Sequence, residues 1–179
     1  RQYWIIDSYT NLDKFPYFPP QWPYLGDRPG PPGLYGDEAN YLRAALNLFA
    51  KPTAYQPWLQ LLLVYLSTRA LGVTAFAARL PSAVLASLNA PLIYLIASVL
   101  FGSKAAAIIS ALYYVAMTPA LIYNRMLFLE NGVSFFFLLT VLFLLLYEER
   151  SSRKWLYVAA AASVLAVACK INGVIAPAY

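Results

Sequence analysis

The chain contains no histidine and only one cysteine, Cys169. Without histidine there is no Ser-His-Asp or Cys-His catalysis and no imidazole-held metal. A single cysteine rules out an intrachain disulfide and a thiolate metal cluster. Charge is also scarce. Only 12% of the 179 residues are charged, against about 25% in soluble globular domains. The thirteen Lys and Arg are dispersed, with no run suited to following a phosphate backbone, so no nucleic-acid partner is expected. Acid–base chemistry, if present, falls to Asp, Glu, Lys or Tyr.

What remains is apolar. Hydrophobic residues make up 61% of the chain and the mean hydropathy is +0.57. Several uncharged or nearly uncharged stretches approach the roughly 20 residues that cross a bilayer as a helix. The composition therefore predicts an all-α, polytopic helical membrane protein. The chain begins with Arg1 and ends at Tyr179 just past an apolar segment, so it is expected to be a piece of a longer membrane domain.

Residues 1–75 are expected to form a loop region outside the bilayer. Residues 1–36 are aromatic and rich in proline, which removes donors and fixes φ, so an ordered loop on the membrane face is expected. At 37–50 the period changes. Ala39, Leu42, Ala45, Leu46 and Phe49 repeat at helical spacing, giving a short amphipathic helix. Residues 57–71 are apolar but short and contain Gln60 and Arg69, which suits an interfacial helix. Four spans are expected within 76–179, at about 76–101, 105–123, 131–147 and 155–176. Pro91 is expected to kink the first of them.

Short links between these spans fix a parity. If Asp37 lies on a near face, Lys104 and the loop 148–154 fall on the far face. Arg125 and Glu130 return to the near face. Lys170 lies about 22 Å along its span at about 1.5 Å per residue, which also brings it toward the near face. The far loops carry Lys104, Arg150, Arg153 and Lys154, which the positive-inside rule makes cytoplasmic. Asp37, Glu38, Arg125, Glu130 and Lys170 are thus expected together on the extracytoplasmic or luminal face.

Beyond Glu38 only Glu130, Glu148 and Glu149 are acidic. Carboxylates this sparse at a bilayer boundary are candidates for chemistry. Each has a plainer reading. Asp37 and Glu38 open a helix, where the dipole favours carboxylates. Glu130 can pair with Arg125 as a purely structural link. Lys170 can simply snorkel to the interface, and Arg79 at the head of a span reads as an interface anchor.

The order of these pieces resembles the GT-C membrane glycosyltransferases, most closely the branch of the protein O-mannosyltransferases and the lipid A aminoarabinose transferases. The resemblance rests on GDEANYLRAALNL (36–48), FAARLPSAVLASLNAPLIYLIASVLFG (76–102), YNRMLFLENGVSFFF (123–137) and CKINGV (169–174). It implies that Asp37 is the essential loop aspartate, a general base or metal ligand, with Glu38 completing the acidic pair. It implies that Arg125, Glu130 and Lys170 bind substrate near the lipid phosphate. In that family His-Pro-Pro or Lys-Pro-Pro often enters the helix after the loop. Here the stretch is Tyr55-Gln56-Pro57-Trp58, and Lys51-Pro52 lies upstream. The aminoarabinose branch tends to place Arg three positions after the aspartate, where this chain has Asn40.

The implied donor is a sugar on a polyprenyl phosphate, and the implied acceptor a protein or lipid hydroxyl. Asp37 and Glu130 are the candidate ligands for a divalent cation, Mg or Mn, because hard cations take oxygen ligands. A polytopic transporter fragment and a non-catalytic membrane subunit are the competing classes. A transporter places its charges near the midplane on broken helices, and the expected span interiors are nearly free of charge.

Overall fold

The computed structural model describes residues 24–25, 28–29, 34, 37–49 and 58–170. The rest of the aromatic, proline-rich block, Lys51-Pro52, the residues 55–57 and the end of the last expected span lie outside the described residues. The fold is all-α. Its described strands are a two-residue antiparallel pair, β1 (Tyr24–Leu25) and β2 (Arg28–Pro29), with Tyr24 opposite Pro29.

Helix α1 (Asp37–Leu46) packs on α2 (Trp58–Leu71), and α2 on α3 (Ala75–Ser87). Leu34, Leu42, Ala45, Leu61, Val64 and Ala78 close a core there with Leu127 and Leu129. The helix expected over 37–50 ends earlier, at Leu46. The Arg43 carbonyl accepts both the backbone and the side-chain N–H of Asn47, at 3.1 and 3.0 Å, and the Leu48 N–H turns back to the Ala45 carbonyl at 3.2 Å, tightening the last turn. Phe49, expected on the buried stripe, is 72% exposed and lies edge-on to Tyr65.

Helices α3 and α4 (Asn89–Phe101) form one apolar rod of 27 residues, interrupted only at Leu88. Pro91 has no N–H to offer the Ser87 carbonyl, which is the local reason for the interruption. The Thr74 hydroxyl caps the start by accepting from the Ala77 N–H at 3.1 Å. Gly102, at φ +59°, ends the rod in the left-handed conformation.

The stretch 105–123, expected as one helix, is two: α5 (Lys104–Ala116) and α6 (Thr118–Tyr123). Met117 between them is extended, and Pro119 opens α6. Proline suits a helix's first turn and breaks its interior. Helix α7 (Glu130–Arg150) runs 21 residues, about 32 Å at about 1.5 Å per residue, enough to cross a hydrocarbon core about 30 Å thick. It is stopped by Ser151 at φ 50°. The 75–101 rod and α7 are the two described helices long and apolar enough to cross a membrane. Helix α8 (Arg153–Cys169) stops short of the limit expected at residue 176, with Lys170 extended at its end.

Cross-helix contacts fix the directions. Ser82 Oγ approaches the Phe128 carbonyl at 3.4 Å and Asn89 Nδ2 donates to Ser134 Oγ at 3.2 Å. Both segments advance together, so the 75–101 rod and α7 are parallel. Phe143 stacks on Trp155 at 5.7 Å, and Cys169 lies against Gly132, so α8 runs antiparallel to α7. Asn89 also donates to the Tyr114 hydroxyl at 3.2 Å, and Tyr114 to the Ala86 carbonyl at 3.3 Å. These bonds tie three helices together and give their polar side chains partners within the bundle.

Candidate functional site

The end of the bundle where α1 sits gathers the charged groups. Glu38 occupies the same face of α1 as Leu42 and Ala45 and is fully buried. Its carboxylate receives Arg79 Nε at 2.7 Å on Oε1 and Arg79 Nη2 at 2.6 Å on Oε2. The Leu127 N–H donates to Oε1 at 2.8 Å. One carboxylate thus joins α1, α3 and the link between α6 and α7. A buried carboxylate is tolerated only when paired and hydrogen-bonded in this manner.

Arg79 is the residue that sequence reasoning passed over as an interface anchor. A signal was present. Glu38 stands four positions before Leu42 and seven before Ala45 in a stripe of helical period, which puts a charge on the buried face and calls for a buried cation.

Glu130 begins α7, and its Oε1 pairs with the Lys170 ammonium at the end of α8. The alternative pairing of Glu130 with Arg125 is not formed. Arg125 is exposed in the α6–α7 link and makes no ion pair with a described residue. Because Lys170 is extended rather than helical, it sits beyond the span's last turn. The Asp37 backbone opens α1, directly before Glu38. Its side chain lies outside the described residues. The described end therefore assembles Glu38 with Arg79 and Glu130 with Lys170.

Packing beneath these pairs is tight. Gln60 is fully buried and donates to Ser82 Oγ at 2.9 Å, while its Oε1 has no partner among the described residues. A Cβ on Gly132 would lie 2.6 Å from that oxygen and 2.8 Å from Cys169 Sγ. Glycine is required there for α2, α7 and α8 to meet.

Among the described residues no three Cys, Asp or Glu side chains gather as a metal site. A divalent cation between Asp37 and Glu130 would have to share Glu130 with the Lys170 ammonium.

The model of the dolichyl-phosphate-mannose-protein mannosyltransferase family matches residues 55–178. The chain belongs to this family. Its members are membrane glycosyltransferases, and the match spans Arg79, Arg125, Glu130 and Lys170. Asp37 and Glu38 precede the matched segment. No curated protein and no solved structure matches the chain.

Proposed function

We propose that this protein moves a sugar from a polyprenyl-phosphate donor to an acceptor hydroxyl, a protein side chain in keeping with the family's name, at the extracytoplasmic or luminal face. The observation that carries the reading is the convergence at one end of the bundle of the Glu38–Arg79 and Glu130–Lys170 pairs with the first residue of α1. Lys104, Arg150, Arg153 and Lys154 lie at the opposite end, which the positive-inside rule assigns to the cytoplasm.

In the proposed step the acceptor oxygen attacks the anomeric carbon as the bond from that carbon to the phosphate oxygen breaks. The acceptor proton passes to the Asp37 carboxylate, and the electron pair leaves with the lipid phosphate. One displacement inverts the anomeric centre and requires a single base. The departing phosphate gains negative charge, which Lys170 and the exposed Arg125 are suited to stabilise. Glu38 acts by holding the start of α1 through Arg79 and Leu127, and so positions Asp37 without touching substrate. No step requires a metal.

Asp37→Asn in the full-length protein, assayed for sugar transfer, tests this. Loss of transfer at unchanged expression is expected. Transfer at the wild-type rate removes Asp37 as the base.

A further inference from the structure

The far end of the bundle carries a second charged assembly that the proposed chemistry does not use. The turn from α7 to α8 places the Arg150 guanidinium 5.6 Å and the Lys154 ammonium 5.1 Å from the centroid of the Trp155 ring. Phe143 supports the ring from below by stacking at 5.7 Å. Arg153 and Lys104 are exposed. The parallel course of the 75–101 rod and α7 brings Lys104, just past one, to the same end as Arg150, at the tip of the other. Glu148 and Glu149, in the last turn of α7, are exposed as well, yet neither forms an ion pair with these cations. The basic groups are thus organised on an aromatic platform rather than neutralised by the nearby carboxylates.

This assembly lies where α7 leaves the apolar layer, and Tyr157, 71% exposed, stands two residues further along α8. Tyr and Trp favour the headgroup level. Clustered Lys and Arg at that level attract anionic lipid. Arginine supplies forked donors that match a phosphate, and lysine adds a point charge.

We propose that this end holds the headgroup of an anionic phospholipid, its phosphate taken by Arg150 and Lys154 over the Trp155 ring. The site is separate from any donor lipid, which would be met at the opposite end. It rests on α7 crossing the bilayer and not on the transfer reaction, so it stands or falls independently of Asp37.

The test uses the full-length protein in detergent, with bound lipid counted by native mass spectrometry after addition of phosphatidylglycerol or phosphatidylcholine. Wild-type protein should retain phosphatidylglycerol on the order of tenfold over phosphatidylcholine. Arg150→Gln with Lys154→Gln should bring the two lipids to parity, while Arg150→Lys with Lys154→Arg should keep the preference. Glu148→Gln with Glu149→Gln should keep or raise it. Inorganic phosphate at millimolar concentration should not displace the lipid. Equal retention by wild type, a preference that survives loss of both charges, or displacement by free phosphate would each overturn the proposal.

Discussion

Glu38 and Arg79, 41 residues apart in sequence, meet through two charge-assisted hydrogen bonds in which the carboxylate is entirely withdrawn from solvent. Removing one partner of such a pair leaves the other charge uncompensated, at about 3–5 kcal/mol. Arg79→Gln is therefore expected to destabilise the full-length protein by roughly that amount, reduced by the partial exposure of Arg79. Glu38→Gln with Arg79→Gln should recover a substantial part of the loss. Thermal unfolding in detergent measures both. Equal melting temperatures for Arg79→Gln and wild type would show that the pair contributes nothing.

The Glu130–Lys170 pair behaves differently because it is open to solvent, Glu130 being 56% exposed. Lys170→Gln should change stability by about 0–1 kcal/mol. If Lys170 meets the donor phosphate as proposed, the same substitution should raise KM for the donor by about tenfold or more, the scale of a lost charge-assisted bond. Donor titrations of the variant decide it. An unchanged KM with unchanged stability would reduce the pair to a surface contact.

Gly132→Ala should overpack the meeting of α2, α7 and α8 and cost about 1–3 kcal/mol. Cys169→Ala removes the sulfur that would lie 2.8 Å from the new methyl group. Combined with Gly132→Ala it should restore part of the loss, read as a coupling in a double-mutant cycle of melting temperatures. Purely additive effects would contradict the close approach.

Gln60 offers a prediction of the opposite sign. Its Oε1 is buried with no partner among the described residues, and the Ser82 hydroxyl, which accepts from Gln60, would keep its own donation to the Phe128 carbonyl at 3.4 Å. Gln60→Leu exchanges one neutral hydrogen bond for relief of an orphaned oxygen and should lie within about 1 kcal/mol of wild type or above it. A loss of several kcal/mol in chemical or thermal unfolding would show that Oε1 has a partner after all.

Much of the helical layout was readable because it depends on local chemistry. Gly102 and Ser103 punctuate the chain between helices, and apolar length alone marked out 76–101 and 131–147, within a few residues of the helices that form. The break at Met117 was also written locally, in Pro119, but a continuous apolar stretch from 105 to 123 masks it when hydrophobicity alone is read. Charged Glu148 to Arg150 read as loop, yet they extend α7 because such residues form helix readily and only Ser151 turns the chain. The partners at the site were harder to see. That Glu130 takes Lys170 rather than Arg125, and Glu38 takes Arg79, depends on which helices become neighbours. No spacing within one segment encodes that.

The bond from the Leu127 N–H to Glu38 spans 89 residues. It cannot close until α3 to α6 have been synthesised and the chain has returned to the end from which it set out. During biogenesis Glu38 is therefore made early in this region and held only after α2 to α6 have followed it. A nascent chain arrested before residue 127 would have one of its charged ends unfinished, whatever the quality of its individual helices.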